Sequence, residues 1–306
     1  MKDLIAIRDL TNNEINDIFS LAQKVKKNKN KYSKVLSGKS VALIFQKPSL
    51  RTRVSFEVGI DQLGGSSIYL GHKEINLGVR ESVFDVAKTL SRYVDAIMLR
   101  TFEHKYVSEL AEHADVPVIN GLSDLFHPCQ ALSDIFTIKE KRSNIKKVLI
   151  SYIGDGNNVC NSLLYLCAKL GISLNIASPQ GYSPDNEIVR KAKEIARELS
   201  AVINVFTDAK SAAAGADVLY TDVWASMGQE AEREKRILDF KGFQINDQLL
   251  SIAKKDCLIM HCLPAHRDEE ITDSVLKTNN AIVFDQAENR LHVQKAVLIK
   301  LFKDKK

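Results

Sequence analysis

The sequence predicts an α/β fold with parallel sheets, arranged in two domains. Short apolar runs alternate with longer segments of helical periodicity along the chain, as expected for strand–helix units. A length of 306 residues is sufficient for two domains of ordinary size. The polar stretch 141–147 interrupts the alternation. We therefore place the domain boundary near residue 140 and expect domains at 1–140 and 141–286.

In the first half, a helix is expected from Thr11 to Val25, because Thr11 is a suitable N-cap and Glu14 occupies the capping-box position. A second helix, 51–63, ends at two glycines, 64 and 65. The other elements expected here are the strands Val41–Phe45, Ala96–Leu99 and Pro117–Asn120 and the helices Ser82–Tyr93, Tyr106–His113 and His127 to about Arg142.

The strand–helix alternation continues in the second half. Helices are expected to begin at Asn158 and Pro184, and a helix over 287–302 closes the chain. The expected strands are Val148–Ile153, Leu174–Ala177, Val202–Phe206, Val218–Asp222, Leu258–Met260 and Ala281–Phe284. Such alternation forms parallel sheets with right-handed crossovers, and ligands bind at the carboxyl ends of their strands.

Composition and charge narrow the class of protein. The net charge of +5 comes from two lysine-rich segments, 24–34 and 300–306, which are typical of a solvated helix face and a frayed terminus. Nucleic-acid binding is therefore not expected. The five cysteines are odd in number and form no C-x-x-C pair, which argues against disulfides and a zinc knuckle.

The same properties bear on the compartment. The first residues lack the long apolar region of a signal peptide, and no apolar run approaches the ~20 residues of a membrane span. We therefore expect reduced thiols, a cytoplasmic location and no membrane partner.

An anion cradle is expected where the strand 41–45 leads into a helix through the segment 48–53 (PSLRTR). A helix N-terminus offers free N–H groups and the positive end of the helix dipole, and both attract anions. Ser49 and Thr52 add hydroxyl donors, and the two arginines add charged groups that suit phosphate. On spacing alone, a serine N-cap followed by surface arginines is an open alternative.

Two further motifs offer polar groups at helix starts. His127 and Gln130 stand three residues apart, so their side chains point into the same space and both can donate to a carbonyl oxygen. A core or capping histidine is the alternative. The segment 154–158 (GDGNN) could suggest a dinucleotide loop, but Val159 stands where the third glycine belongs. Asn158 is a candidate ligand for a polar small molecule.

Three features near the C-terminal end complete the set. Asp222 follows a strand and could pair with an ammonium group, and the loop 226–228 (SMG) could close over an amino acid. A surface loop with an N-cap aspartate is the alternative. In the segment 261–267 (HCLPAHR), no partner cluster with ligand spacing supports a metal, so the Cys262 thiol is better placed to touch substrate. The Leu263-Pro264 bond is a candidate cis peptide. Arg290 could reach an anion or remain solvated.

Together these segments closely resemble the ornithine carbamoyltransferase family over essentially the whole chain. S-x-R-T-R and H-P-x-Q mark the wider aspartate/ornithine carbamoyltransferase superfamily, whereas D-x-W-x-S-M-G and H-C-L-P mark the ornithine branch. The resemblance implies two doubly wound parallel-sheet domains joined by bridging helices, the first binding carbamoyl phosphate and the second ornithine. It places the C-terminal helix, 287–306, against the first domain. It also implies a homotrimer, or a multiple of trimers, with active sites at subunit interfaces.

The resemblance further implies a reversible reaction of carbamoyl phosphate and L-ornithine to L-citrulline and phosphate, in arginine biosynthesis, without a metal or organic cofactor. Its catalytic residues would be Arg51, Arg100, His127 and Cys262. Carbamoyl phosphate would be bound by Ser49, Leu50, Arg51, Thr52, Asn76, Arg100, His127, Pro128, Cys129, Gln130, Cys262, Leu263 and Arg290. Ornithine would be bound by Asn158, Asp222, Ser226 and Met227.

Two positions depart from the family pattern. Leu50 stands where the family usually has threonine, which matters little if the contact is the backbone N–H and weakens phosphate binding if it is the hydroxyl. Asn76 stands where many bacterial members have glutamine, so it and the nearby Arg80 bear on the contact with a neighbouring subunit's carbamoyl phosphate.

Three alternatives remain open: aspartate as the acceptor, putrescine as the acceptor, and a non-catalytic phosphate- or nucleotide-binding module. Aspartate would need cationic groups for its extra carboxylate, whereas this chain offers Asp222. The SMG loop favours an α-amino acid over putrescine. The physiological direction of the reaction is left open.

Overall fold

The computed structural model describes residues 1–28, 30–226 and 228–303. The chain divides into two compact units. The first consists of Met1–Phe136 together with the C-terminal residues from Glu288, and the second of Thr137–Ala287. Each unit contains its own parallel sheet, so the prediction of two parallel-sheet α/β domains is confirmed.

The first unit contains a four-stranded parallel sheet with the order β2-β1-β3-β4. Its strands are β1 (Ser40–Phe45), β2 (Ser66–Gly71), β3 (Ala96–Arg100) and β4 (Val118–Leu122). The helices of this part of the chain are α1 (Asn12–Lys27), α2 (Leu50–Gln62), α3 (His72–Ile75), α4 (Val83–Tyr93), α5 (His104–His113) and α6 (Pro128–Lys141). The last residues of α6 belong to the second unit.

The second unit contains a five-stranded parallel sheet with the order β7-β6-β5-β8-β9. Its strands are β5 (Leu149–Ile153), β6 (Ser173–Ala177), β7 (Ile203–Phe206), β8 (Val218–Thr221) and β9 (Leu258–His261). Its helices are α7 (Asn158–Leu170), α8 (Asn186–Glu198), α9 (Ala209–Ala213), α10 (Arg233–Asp239), α11 (Asp247–Ile252) and α12 (Asp273–Leu276), and α13 (Val283–Lys303) runs on into the first unit.

Local sequence accounts for the ends of several helices. Thr11 caps α1: its hydroxyl accepts from the backbone N–H of Glu14, and the Glu14 carboxylate accepts from the backbone N–H of Thr11. This is the predicted capping box. Beyond the end of α2, Gly64 has a φ of 83°, and a Cβ there would overlap the backbone carbonyl of Ser33. Glycine is required at this position.

Each sheet is buried by apolar side chains from its own helices. In the first unit, Ile44 and Leu99 of the sheet share a core with Val86 and Leu110 of α4 and α5. In the second unit, one core group combines Ile259 of β9 with Trp224 and Phe240 from the connections that follow β8. These cores fix the strand ends from which the polar loops extend.

The strand orders create two topological switch points. From β1 the chain moves to β2 on one side of the first sheet, and then crosses to β3 and β4 on the other. In the second sheet, β6 and β7 lie on one side of β5, and β8 and β9 on the other. Such reversals open a crevice at the carboxyl ends of the two central strands, where ligands bind in open α/β sheets.

One predicted element is wrong, and one observed strand was not predicted. Ala281–Phe284 was expected to be a strand, but Ala281 makes only an isolated bridge with Ile259, and α13 begins at Val283. A short apolar run fits a buried helix start as well as a strand, and here Ile282 and Val283 are buried at that start. Strand β2 was not predicted: its apolar run is only the three residues 68–70, beside two serines and a glycine, and none of its residues is buried at this edge of the sheet.

The structure also bears on membrane-spanning helices and on the state of the cysteines. Within the described ranges, no helix combines the length and the apolar character that crossing a lipid bilayer would require. All five cysteines are free thiols, and all are buried.

Candidate functional site

The N-terminus of α2 lies at the switch point of the first sheet. Ser49 has extended backbone, with φ −163°, and its hydroxyl accepts from the backbone N–H of Thr52 at 3.2 Å. Ser49 is therefore the N-cap, and the first turn of α2 keeps N–H groups outside helical hydrogen bonding. The Leu50 side chain is 73% exposed, so a ligand here would use the backbone N–H of Leu50.

Two guanidinium groups converge on this helix N-terminus. Arg100, the last residue of β3, donates from Nη1 to the Thr52 hydroxyl at 3.4 Å. Arg290, in α13, donates from Nη2 to the same hydroxyl at 3.0 Å. Arg100 is 5% exposed and Arg290 2% exposed. The two positive charges are therefore held close together, with little water to screen their repulsion.

Gln130 holds Arg290 in this position. Arg290 donates from Nη1 to Gln130 Oε1 at 2.6 Å, and Gln130 donates from Nε2 to Asp134 Oδ1 at 2.7 Å. Gln130 and Asp134 are one turn apart in α6 and both are buried. The amide is thereby fixed with its oxygen towards the arginine. Sequence reasoning missed Asp134, although its i+4 spacing from Gln130 could have indicated it.

The group is strongly electropositive. Burial lowers the pKa of Arg100, and the nearby charges of Arg290 and Arg51 lower it further. Burial also lowers the pKa of Lys47 to about 8, with a further contribution from Arg100. Buried cations that disfavour one another's charge are relieved by a bound anion. We call Lys47, Arg51, Arg100 and Arg290 the cationic cluster.

Lys47 was not singled out from the sequence. Its Nζ lies 4.5 Å from the centre of the Phe102 ring, and the side chain is buried. A lysine between a strand and an anion-binding helix turn is itself a signal, because a buried ammonium needs a partner.

His127 is buried beside the cationic cluster. Burial lowers the pKa of its imidazole well below the usual value, and the charges of Arg290 and Arg100 lower it further. The ring is therefore neutral at physiological pH and can donate one N–H hydrogen bond without carrying charge.

In the second unit, the loop 154–157 caps α7. Asn157 Oδ1 accepts from the backbone N–H of Val159 at 2.9 Å and of Cys160 at 3.2 Å. A Cβ at Gly156 would overlap the backbone of Pro184, so glycine is needed here because another part of the same chain passes close to it. In a dinucleotide fingerprint the second glycine admits a pyrophosphate instead. The loop therefore does not support the nucleotide-binding alternative.

Asp222 links three segments of the second unit. Its Oδ2 accepts from Asn157 Nδ2 at 2.8 Å, and its Oδ1 accepts from the backbone N–H of Val223 at 2.8 Å. The Cys262 thiol donates to the same Oδ1 at 2.8 Å. Since the thiol donates, Cys262 carries its proton in this arrangement. Asp222 and Cys262 are both buried, as the carboxyl ends of β8 and β9 bring them together.

The turn after β9 uses His261 internally. His261 Nε2 is bonded to Glu270 Oε1 at 2.9 Å, and the backbone N–H of Leu263 donates to His261 Nδ1 at 2.8 Å. Both ring nitrogens are thereby engaged. The Leu263-Pro264 bond is cis, as predicted.

Two groups of side chains have ligand-type atoms within 4.8 Å of one another: Asp222, His261 and Cys262, and His266, Glu269 and Glu270. In the first group the thiol proton and the two imidazole nitrogens are already committed to protein partners. The expectation that the protein works without a metal stays a prediction.

The remaining predicted residues lie as follows. Asn158 is the half-buried first residue of α7, and the backbone N–H of Ser226 donates to Gln229 Oε1 at 3.0 Å. Asn76 ends α3 with φ 48°. Pro128 opens α6, and Cys129 donates from Sγ to the backbone carbonyl of Asn120 at 3.6 Å. Met227 lies outside the described residues.

Comparison with known proteins gives a consistent result. A family model described as "Aspartate/ornithine carbamoyltransferase, carbamoyl-P binding domain" matches residues 2–140, and one described as "Aspartate/ornithine carbamoyltransferase, Asp/Orn binding domain" matches residues 146–301. The ornithine carbamoyltransferase of Archaeoglobus fulgidus is 50% identical over 98% of this chain and 97% of its own. That of Bacillus subtilis is 51% identical over 97% of this chain and 92% of its own.

Solved structures are similarly close. The ornithine carbamoyltransferase of Pyrococcus furiosus superposes with a TM-score of 0.94 at 51% identity, covering 97% of this chain and 96% of its own. The anabolic ornithine carbamoyltransferase of Campylobacter jejuni superposes with a TM-score of 0.94 at 38% identity, and each chain is covered over its full length.

Proposed function

The chain belongs to the aspartate/ornithine carbamoyltransferase family, and from this premise we propose that it transfers the carbamoyl group of carbamoyl phosphate to L-ornithine, forming L-citrulline and phosphate. One observation carries most weight: the guanidinium groups of Arg100 and Arg290 meet at the Thr52 hydroxyl, beside the N-terminus of α2. Buried cations at a helix N-terminus suit a phosphate dianion. A carbamoyltransferase must hold such a group and neutralise it as it leaves.

The phosphate of carbamoyl phosphate binds at the start of α2. The backbone N–H groups of Leu50 and Arg51 face it, with the hydroxyls of Ser49 and Thr52 as further donors. Arg51 and Arg290 supply charge. Because the Leu50 side chain is largely exposed, position 50 acts through its backbone, and the missing threonine hydroxyl costs little.

The carbamoyl carbonyl is bound by Arg100, His127 and Gln130. Charge develops on its oxygen when the amine attacks, and fixed donors aimed at that oxygen are typically worth ~3 kcal/mol each. The lowered pKa of His127 supports a neutral donor here, so its role is hydrogen bonding to the oxygen and not proton transfer. Pro128 and Cys129 contribute backbone at the same helix start.

L-Ornithine binds in the second unit, through Asn158, Asp222, Ser226 and Met227. Asp222 pairs with an ammonium group of the substrate, since its carboxylate already accepts from Asn157 and Cys262 and keeps a fixed orientation. Cys262 and Leu263 contact the reacting groups. If aspartate were the acceptor, its extra carboxylate would need a cationic group in the site, whereas this chain offers the carboxylate of Asp222.

The reaction needs the neutral side-chain amine of ornithine as the nucleophile. Its nitrogen forms a bond to the carbamoyl carbon while the bond from that carbon to the phosphate oxygen breaks. The amine's surplus proton passes to the departing phosphate, with Asp222 and Cys262 the nearest groups for proton handling before attack. Much of the rate gain comes from positioning two substrates. No metal or organic cofactor takes part.

We further propose the wider setting of the enzyme. The domain at 1–140, completed by the C-terminal helix, binds carbamoyl phosphate, and the domain at 141–286 binds ornithine. The enzyme acts in arginine biosynthesis, which the anabolic relatives support. It assembles as a homotrimer or a multiple of trimers and works in the cytoplasm, where free thiols such as its five cysteines persist. Light scattering measures the assembly.

An acceptor panel tests the proposal. The protein is incubated with carbamoyl phosphate and, separately, with ornithine, aspartate or putrescine, and each carbamoylated product is quantified. We expect citrulline to form at least ~100-fold faster than the other two products, because a lost charge pair in a substrate site costs several kcal/mol. Faster carbamoylation of putrescine or aspartate would reassign the acceptor, and no product with any acceptor would reject the function.

A further inference from the structure

Arg236 lies in α10, outside every motif that the sequence singled out, yet it is only 6% exposed. Its Nη1 donates to Asp155 Oδ2 at 3.1 Å and to the backbone carbonyl of Trp224 at 2.9 Å. Its Nε donates to Glu232 Oε2 at 3.0 Å. One guanidinium thus joins the loop after β5, the loop after β8 and the start of α10.

Trp224 is held by α10 in two ways. Its carbonyl accepts from Arg236, and its ring stacks on Phe240 with centroids 5.4 Å apart and planes 25° from parallel. Trp224 stands between Asp222 and Ser226, two residues from each. A fixed Trp224 therefore limits where both of these groups can lie.

The loop 154–157 holds the Asp222 end of the segment 222–226. Asn157 donates to the Asp222 carboxylate, and two residues earlier Asp155 accepts from Arg236. Asp222 and Trp224 are therefore tied to one loop, the first directly and the second through Arg236. Beyond Trp224, the backbone N–H groups of Ser226 and Gly228 bond to Gln229 and Glu230, within the loop itself.

We propose that Arg236 is a positioning residue for the acceptor substrate, which fixes Trp224 against Asp155 and thereby sets the places of Asp222 and Ser226. The inference rests on the proposed function, because it takes these two residues as ornithine ligands. Arg236 itself touches no substrate. Its effect appears in the affinity for ornithine and not for carbamoyl phosphate.

The position requires an arginine in particular. The planar guanidinium donates in three directions, and its central carbon lies 4.9 Å from the centre of the Tyr182 ring. Burial raises the pKa of Asp155 to about 6, against the opposing effect of Arg236, so the carboxylate is charged at neutral pH. A lysine keeps the charge, but its donors radiate from one nitrogen, which cannot stand both at the Nη1 position that serves Asp155 and Trp224 and at the Nε position that serves Glu232.

Steady-state kinetics of Arg236→Met and Arg236→Lys test the inference. In Arg236→Met we expect the KM for ornithine to rise by about tenfold or more, since small displacements of a binding loop weaken positioning strongly. The KM for carbamoyl phosphate and kcat should stay within about threefold of wild type. Arg236→Lys should give an intermediate KM for ornithine.

Arg233→Met is the matched control. Arg233 begins the same helix and is ion-paired with Glu269, but it is exposed. Wild-type kinetics are expected in this variant, which shows that an arginine lost from α10 does not by itself disturb ornithine binding.

Equal rises of KM for both substrates, or a lowered Tm with an unchanged KM for ornithine, would identify Arg236 as a purely structural residue and overturn the inference. Should Arg236→Met fail to fold, Arg236→Lys decides, because a wild-type KM for ornithine in that folded variant also overturns it. Failure of the proposed function is distinguishable: the wild-type protein would then form no citrulline.

Discussion

Arg290 and Gln130 are hydrogen-bonded, with Nη1 of the arginine 2.6 Å from Oε1 of the amide, although 160 residues separate them in the chain. The same guanidinium donates to Thr52 at 3.0 Å. One side chain from α13 therefore joins the start of α6 to the start of α2. The segment 48–53, predicted as an anion cradle, is thus in contact with a residue of the C-terminal helix.

We predict that Arg290→Lys raises the KM for carbamoyl phosphate by about tenfold or more and leaves the KM for ornithine within about twofold. The three N–H donors of a lysine radiate from one nitrogen, which cannot occupy the separate positions of Nη1 and Nη2 from which Arg290 reaches Gln130 and Thr52. Initial rates at saturating ornithine give the first KM, and rates at saturating carbamoyl phosphate give the second.

Lys300→Gln, further along α13, is the control for this variant. Lys300 forms an ion pair with the exposed Asp17 at 2.9 Å and is not among the site residues, so its loss should leave both KM values unchanged. A wild-type KM for carbamoyl phosphate in Arg290→Lys would remove Arg290 from the phosphate site.

A pH dependence is expected from Lys47. Burial lowers the pKa of its ammonium to about 8, with a contribution from Arg100, so the free enzyme loses this charge as the pH rises through that value. The cationic cluster then attracts the phosphate less. The KM for carbamoyl phosphate should be level below pH 8 and rise above it, by up to about tenfold per pH unit.

Lys47→Met separates Lys47 from the other ionisable groups. With no ammonium at position 47, the variant should show a higher KM for carbamoyl phosphate that no longer rises between pH 8 and 9.5. A rise as steep as that of the wild type would assign the ionisation to another group. Both proteins are assayed at saturating ornithine, corrected for the fraction with a neutral amine.

The elements around the cradle could be predicted because their determinants are local. An apolar strand, a serine N-cap and a following helix lie within about twenty consecutive residues, and Thr11 with Glu14 likewise encodes its capping box within one turn. The switch-point rule then directs attention to the strand ends where Arg100, Asp222 and Cys262 lie.

What the sequence did not reveal depends on distant partners. Arg236 bonds to Asp155, 81 residues away, and no expected strand directly precedes it. The sequence left open whether Arg290 reaches an anion or remains solvated, since its partner Thr52 is 238 residues away. Edge strand β2 has an apolar run of only three residues, and none of its six residues is buried, so its sequence does not have the pattern of a core strand.

A stability prediction concerns Gly64, which ends the turn after α2. Its φ of 83° is unfavourable for any residue with a Cβ, and that Cβ would also overlap the backbone carbonyl of Ser33. Gly64→Ala should therefore lower the free energy of unfolding by about 2–4 kcal/mol, combining backbone strain with overlap. Urea denaturation of the purified protein measures this difference.

Gly38→Ala is the matched control for backbone strain. Gly38 has a similar φ of 72°, but nothing lies within 4 Å of the added Cβ. It should lose only about 1 kcal/mol, the strain alone. Equal losses in the two variants would show that the contact with Ser33 contributes nothing.

The thiol of Cys262 gives the last prediction, because it donates to Asp222 at 2.8 Å in the segment proposed to hold ornithine. In Cys262→Ser the shorter and more strongly hydrated hydroxyl can still donate to the carboxylate, but it changes the shape and polarity beside the acceptor amine. We expect the KM for ornithine to rise about three- to tenfold, with the KM for carbamoyl phosphate within about twofold. Cys257→Ser controls for burying a hydroxyl in place of a thiol, since Cys257 is also buried and lies outside the site residues. Its kinetics should match wild type, and equal losses at both substrates in Cys262→Ser would contradict a position beside ornithine.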